Sequence, residues 1–69
     1  MKNSLKVERA KLNLTQQDLA DKVKVSRQTI NSIETERYTP STVLALKISE
    51  VFKTTVNEIF ILEEDEKVT

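Results

Sequence analysis

Residues that favour helix N-caps recur along this chain and divide it into short pieces. In each case a Ser or Thr precedes a stretch whose apolar residues recur at helical spacing. These residues are Ser4, Thr15, Ser26, Ser41 and Thr55. The first helix is predicted to run from about Ser4 to Lys11. The whole pattern predicts five helices of roughly two to three turns, and therefore a compact all-α fold.

Two of these starts carry a second signal. Asp18 lies three residues after Thr15, and Glu58 lies three residues after Thr55, so each pair resembles a capping box. Pro40 disfavours a helix that continues through it, which separates the third predicted helix from the fourth. The third helix is expected to end at Thr35 or Glu36 because of this break.

The fourth helix and the chain ends leave more room for alternatives. The side chains predicted to form the buried side of the fourth helix are Val43, Leu44, Leu46, Ile48, Val51 and Phe52. The segment TTVNEIFIL (54–62) is rich in β-branched residues, and MKNSLKV (1–7) alternates weakly. Short extended segments at both ends, joined as a small sheet, are therefore an alternative to a purely helical chain.

Length and composition exclude several classes of function. The 69 residues suffice for one domain and not two, so residues 1–69 are predicted to be a single domain. The chain has no Cys and no His, which excludes disulfides, the usual zinc ligand sets and Cys or His nucleophiles. We expect no enzymatic activity, metal or cofactor. No apolar run approaches the ~20 residues that span a membrane, and no signal-peptide core follows Met1, so a cytoplasmic protein without membrane contact is expected.

Charge is distributed unevenly although the formal net charge is zero. Residues 1–57 carry ten Lys and Arg against six Asp and Glu, a net charge of +4. Residues 58–69 carry five acids against one Lys, a net charge of −4, and residues 61–69 are predicted to be an acidic C-terminal tail. A basic body is compatible with a nucleic-acid partner, whereas the acidic end is equally explained as a solubilising segment.

The second and third predicted helices are separated by only about three residues, KVS or VKV. Two helices joined this tightly must cross at a steep angle, which is the helix-turn-helix arrangement. Short turns also occur in many helical bundles, so the spacing alone is a moderate signal.

The third helix separates polar from apolar residues around its axis. At about 100° per residue, one arc of roughly 140° collects Arg27, Gln28, Asn31, Ser32 and Thr35. The opposite side carries Thr29, Ile30 and Ile33. A merely solvated face would favour Glu, Lys and Ala, which have higher helix propensity. Arg can bind guanine through O6 and N7, and Gln or Asn can bind adenine through N6 and N7, so this face is typical of a helix that reads base edges.

These motifs together resemble the Cro/lambda-repressor (XRE) helix-turn-helix family over residues 5–60. The resemblance rests on LTQQDLADKVKVSRQTINSIETERYTPSTVLALKISEVFKTTVNEIF (14–60). The matching features are Thr15-Gln16, Leu19-Ala20, Val25 to Ile30, Ile33-Glu34, Pro40-Ser41, the Leu44/Leu46/Ile48 stripe and Ile59-Phe60. The resemblance implies a five-helix lambda-repressor-like domain, with the helix-turn-helix at 16–35, that binds operator DNA as a homodimer.

The family pattern also implies roles for individual residues. Base contacts are expected from Arg27, Gln28, Asn31 and Ser32. DNA backbone contacts are expected from Gln16, Thr29, Thr35, Arg37 and Tyr38. If these residues do not contact DNA, Gln16 is expected to be a solvent-exposed residue at the helix start and Tyr38 a partly buried packing residue. The resemblance further implies a structural ion pair between Arg9 and Glu34 that links the first helix to the third.

The chain departs from the family in having no glycine. The family often has glycine where Lys24 and Glu36 stand here, at the turn of the helix-turn-helix and after the third helix. Either these two residues adopt positive φ, at a cost on the order of 1 kcal/mol each, or the local turns differ.

The favoured interpretation is a small transcriptional regulator, a repressor, that binds double-stranded DNA at a palindromic operator. Ile61 and Leu62 are expected at a homodimer interface, since EIFIL (58–62) has more apolar residues than one small core needs. Nothing in the sequence indicates a small-molecule effector. The alternatives are an antitoxin or restriction-modification controller, which would also bind DNA, and a helical protein-interaction module that does not.

Overall fold

The computed structural model describes residues 1–68 of the chain. Within this range the elements are β1 (Lys2–Asn3), α1 (Leu5–Lys11), α2 (Gln16–Val23), α3 (Arg27–Glu34), α4 (Thr42–Phe52), α5 (Val56–Ile59), β2 (Phe60–Ile61) and a 3₁₀ turn (Glu64–Glu66). The predicted five-helix all-α fold is thus confirmed, with a two-stranded sheet added. Over residues 1–68, no helix combines the length and the apolar character that a membrane crossing requires.

The three central helices begin where the sequence predicts. The Thr15 hydroxyl accepts from the Asp18 amide at 3.0 Å, and the Asp18 carboxylate accepts from the Thr15 amide at 3.0 Å, which completes the capping box. The hydrogen bond from the Thr15 amide to the Asp18 carboxylate is the largest of the causes that hold the pKa of this carboxyl below its usual value. Ser26 accepts from the Thr29 amide at 3.1 Å and Ser41 from the Leu44 amide at 3.2 Å. Each cap satisfies one of the free amides of a first turn.

The caps expected from Ser4 and Thr55 are wrong. Both residues occupy N-cap positions, but neither side chain accepts a capping hydrogen bond. The Leu5 amide donates instead to Asn3 Oδ1 at 3.1 Å. The Glu58 carboxylate accepts from the hydroxyl of Thr54 rather than from the Thr55 amide. Without a closed box, α5 has four residues, shorter than the two to three turns predicted.

A single core lies between the helices. Its fully buried members are Leu5, Leu19, Ala20, Val23, Ile30, Ile33, Ile48 and Ile59. The prediction for α4 is wrong at Val43 and Leu46, which are exposed, because Ala45 and Ser49 face the core beside Leu44 and Ile48. α4 packs against both α2 and α5.

The alternative of a small sheet at the chain ends is confirmed. β1 pairs antiparallel with β2, with Lys2 opposite Ile61 and Asn3 opposite Phe60. Asn3 Nδ2 also donates to the carbonyl of Ile33 at 2.9 Å. Asn3 therefore ties the sheet to the C-terminal end of α3.

Backbone strain falls at Lys24 and Glu36, the positions where the family often has glycine. Their φ values are 61° and 64°, in the left-handed region. Asn13 and Lys53 share this conformation, with φ of 55° and 52°, and the sequence does not single them out. Asn tolerates this region better than most residues do, whereas Lys24, Glu36 and Lys53 lack that tolerance.

Candidate nucleic-acid interface

Helix α3 is attached to the core by one face and presents the other outward. Ile30 and Ile33 are buried, as the periodicity predicts. Arg27, Gln28 and Thr35 are exposed. The remaining polar residues of α3 that were assigned to DNA, Thr29, Asn31 and Ser32, are half-buried. The exposed face is therefore narrower than the arc drawn from the sequence.

Arg9 and Glu34 are in direct contact across α1 and α3. Arg9 Nε and Nη2 donate to the two carboxylate oxygens of Glu34 at 2.6 and 3.0 Å, a bidentate pair. Arg9 Nη1 donates to the Leu14 carbonyl at 2.8 Å. The side chains are only 13% and 7% exposed, so little water competes for the pair. The bond to Glu34 raises the pKa of Arg9 above its ordinary value, against the opposing effect of burial.

Gln16, the first residue of α2, connects this pair to α3. Its Nε2 donates to Glu34 Oε1 at 3.1 Å and to Asn31 Oδ1 at 3.2 Å. Its Oε1 accepts from Arg27 Nη1 at 3.3 Å. The sequence indicated a backbone-contacting role for Gln16 and missed these links, because they depend on how α2 and α3 cross.

An open groove runs along the other side of α3, between that helix and α4. Its lining residues are Val23, Lys24, Val25, Ser26, Gln28, Thr29, Ser32, Tyr38, Ser41, Val43, Leu44 and Lys47. Among these described residues there are two cations and no acid, in a chain of zero net charge. Hydroxyl groups from Ser, Thr and Tyr supply the rest of its polarity. Lys24, Ser41 and Lys47 were not assigned to DNA contact from the sequence, although both lysines belong to the basic part of the chain, residues 1–57.

The C-terminal end of α3 is ordered by its own backbone. The Thr35 hydroxyl donates to the Asn31 carbonyl at 2.9 Å, so its hydrogen is directed into the helix. The amides of Arg37 and Tyr38 both donate to the Ser32 carbonyl, at 2.9 and 3.2 Å. These bonds hold the segment after α3 against the helix. The side chains of Arg37 and Tyr38 are exposed there, and Tyr38 borders the groove.

The two residues predicted for a dimer interface lie elsewhere, on and after β2. Ile61 and Leu62 are 50% and 48% exposed. They border a shallow depression whose other lining residues include Lys2, Glu64 and Asp65. The structure therefore leaves both apolar side chains half accessible.

Comparison with known proteins identifies relatives along nearly the whole chain. The family model described as Helix-turn-helix matches residues 5–59. An uncharacterised HTH-type transcriptional regulator of Methanocaldococcus jannaschii, MJ0272, is 56% identical over 66 residues, which cover 96% of this chain and 100% of that protein.

Two further relatives carry the same description. An uncharacterised HTH-type transcriptional regulator of Archaeoglobus fulgidus is 46% identical, over 96% of this chain and 93% of its own length. The uncharacterised HTH-type transcriptional regulator YgzD of Bacillus subtilis is 43% identical, over 94% of this chain and 98% of its own length. With the capped α2 and α3, the short turn between them and these matches, the resemblance read from the sequence is confirmed: the chain belongs to the helix-turn-helix family.

Proposed function

We propose that this protein is a transcriptional regulator that binds double-stranded DNA in a sequence-dependent manner, with α3 in the major groove. The observation that carries the proposal is the polar face of α3 beside a groove that contains Lys24 and Lys47 and, among its described lining residues, no acid. A protein-interaction helix would be expected to expose apolar side chains instead. Here Ile30 and Ile33, the isoleucines of α3, are buried.

Base recognition is assigned to the residues that α3 presents. Arg27 and Gln28 lie in its exposed first turn, the part of a recognition helix that enters the groove most deeply. Arg27 suits guanine, and Gln28 suits adenine, at about 1–3 kcal/mol of discrimination for each good pair. Ser32 lies one turn further along, at the edge of the groove, within reach of a base or sugar.

Backbone contacts supply most of the affinity in this proposal. The groove offers Lys24, Lys47 and Tyr38 to a phosphate strand. Each phosphate that the protein neutralises makes the slope of log K against log salt more negative by about 0.9. We therefore expect Lys47→Gln to reduce the magnitude of this slope by about 0.9 for each bound protomer, which is about 1.8 for a dimer. The matched control Lys53→Gln, on the exposed C-cap of α4 and outside the groove lining, should leave it unchanged. Equal slopes for wild type and Lys47→Gln would remove the groove from the DNA path.

A palindromic operator requires two copies of α3 about 34–36 Å apart, and therefore a dimer. The half-exposed Ile61 and Leu62 support an interface at β2. The variant Ile61→Asp/Leu62→Asp should be monomeric in sedimentation at micromolar concentration and should lose tight operator binding. Val7→Asp, at an exposed apolar residue of α1, is the control and should behave as wild type. A double variant that stays dimeric would exclude this interface.

The experiment that tests the function is selection of bound sequences from random duplex DNA. Wild type should enrich a palindromic motif. Arg27→Ala and Gln28→Ala should each lose preference at particular positions in both halves while retaining salt-dependent binding. Failure of the wild type to enrich any motif would refute sequence-dependent binding. With the motif in hand, a reporter whose promoter contains it should be repressed, since an occupied operator blocks the polymerase.

A further inference from the structure

The side-chain amide of Gln16 has only one orientation that suits its neighbours. Glu34 can only accept hydrogen bonds, and it is held in place by the bidentate contact with Arg9. The Gln16 amide nitrogen must therefore face Glu34, as it does at 3.1 Å. A flipped amide would set two oxygens against each other and would turn the nitrogen toward Arg27, which has no acceptor.

The fixed orientation of Gln16 determines that of Asn31. The second hydrogen of Gln16 Nε2 is directed at Asn31 Oδ1, at 3.2 Å. A reversed Asn31 amide would place two N–H donors together. Asn31 Oδ1 therefore faces α2, and Asn31 Nδ2, bonded to the same carbon, lies on the side of the amide away from Gln16.

We propose that Gln16 is a positioning residue that makes Asn31 a hydrogen-bond donor toward DNA, so that Asn31 selects guanine or thymine instead of adenine. Binding adenine with both atoms of the amide requires Oδ1 to accept from N6 while Nδ2 donates to N7. Here Oδ1 is turned toward Gln16 on α2, so the amide cannot present both of its atoms to one base. Guanine O6 and N7, and thymine O4, need only a donor, whereas a donor that reaches adenine N7 meets the N6 amino group, another donor, beside it. This inference rests on the proposed function and revises the role expected of Asn31, which was adenine recognition.

Gln16 also positions Arg27 as a hydrogen-bond donor. Its Nη1 donates to Gln16 Oε1 at 3.3 Å, and the other guanidinium N–H groups remain as donors. Gln16 thus holds two neighbouring donor side chains, one by its oxygen and one by its nitrogen. Gln28 is exposed, and its side-chain amide offers both a donor and an acceptor for adenine.

The test is selection from random duplex DNA with wild type, Asn31→Ala, Asn31→Asp and Gln16→Ala. Asn31→Ala should flatten one position in each half-site, and wild type should prefer guanine or thymine there by at least about fivefold, the lower end for one base contact. Asn31→Asp still accepts from Gln16 but presents an oxygen, so it should shift that position toward cytosine or adenine. Gln16→Ala frees the Asn31 amide to rotate, so adenine should become accepted. Asn57→Ala, at an exposed asparagine of α5, is the control and should leave the motif unchanged.

Each outcome separates this inference from the function on which it rests. Absence of any motif with wild type refutes the proposed function. A motif in which the Asn31 position prefers adenine, or that Asn31→Ala does not alter, overturns the inference alone. An unchanged preference in Gln16→Ala would also overturn it. Because Asn31→Asp is isosteric and its readout is a change of preferred base, loss of folding cannot imitate the expected result.

Discussion

Lys24 offers a direct test of how the short turn is built, because it closes α2 in the left-handed conformation with φ 61° and ψ 48°. The amide of the next residue, Val25, donates to the Ala20 carbonyl at 3.0 Å, a bond that this conformation makes possible. Glycine adopts this conformation without steric cost. We therefore expect Lys24→Gly to stabilise the protein although it removes a long side chain.

The magnitude follows from two opposing contributions to the free energy of unfolding. The left-handed conformation costs a residue with a Cβ about 1–2 kcal/mol. Glycine has more freedom in the unfolded chain, which removes about 0.4–1 kcal/mol of this gain. The net gain is about 0.5–1 kcal/mol, which in a domain of this size corresponds to a Tm increase of roughly 2–8 °C.

Thermal unfolding followed by circular dichroism measures this gain, and two variants serve as controls. Lys24→Ala removes the charge but keeps the Cβ, so its Tm should stay within about 2 °C of wild type. Lys53→Gly has the same expected gain, since Lys53 closes α4 with φ 52° and ψ 42°. DNA binding distinguishes the two glycine variants: Lys24→Gly should weaken it, because Lys24 lines the groove beside α3, and Lys53→Gly should not.

Two results would refute the reasoning about strain. One is a lower Tm in both glycine variants. The other is a Tm increase in Lys24→Ala equal to that in Lys24→Gly, because the stabilisation would then come from removal of the Lys24 charge and not from relief of backbone strain.

The other predictions concern the contacts that hold α2 and α3. Arg9→Ala and Glu34→Ala should each lower the free energy of unfolding by about 3 kcal/mol, since each leaves a nearly buried charge unpaired. In urea unfolding, the double variant should be clearly less destabilised than the sum of the two single variants. Additive losses would mean that the two residues do not stabilise the fold as a pair. Thr15→Ala should lower the free energy of unfolding by about 1 kcal/mol through loss of the cap. Thr55→Ala removes no capping bond and should be nearly neutral. Equal losses in the two variants would contradict the difference between the two caps. Because the pKa of Asp18 is lowered by folding, its stabilising effect is full above the unfolded value near 3.8 and is lost as the pH falls through the folded value. Asp18→Asn should therefore be less stable than wild type at neutral pH and should lose less stability on acidification, and parallel curves of Tm against pH would argue against this.

Local signals in the sequence accounted for most of the helical architecture. The caps at Thr15, Ser26 and Ser41 depend on residues three positions apart, so the linear sequence contains all the information they need. The same signal failed at Thr55, because Glu58 found a different partner in Thr54. The prediction of the buried face from apolar residues failed at Val43 and Leu46 of α4, because apolar character did not reveal which side faces the core.

The candidate site could be predicted only in part. Periodicity separated Ile30 and Ile33 from the polar residues of α3. It could not show that Asn31 turns its oxygen toward Gln16, because that contact joins residues 15 positions apart and depends on the crossing of α2 and α3. The contact between Arg9 and Glu34 was expected through the family resemblance rather than from the residues themselves.

The asparagine of β1 has a consequence for cooperativity. Asn3 pairs with Phe60 through its backbone and holds the Ile33 carbonyl through its side chain, so the sheet and the last turn of α3 share one anchor. Whatever stabilises β2 therefore also restrains α3. If a second copy binds at Ile61, self-association and DNA binding by α3 are thermodynamically linked, and each changes the affinity of the other by the same factor.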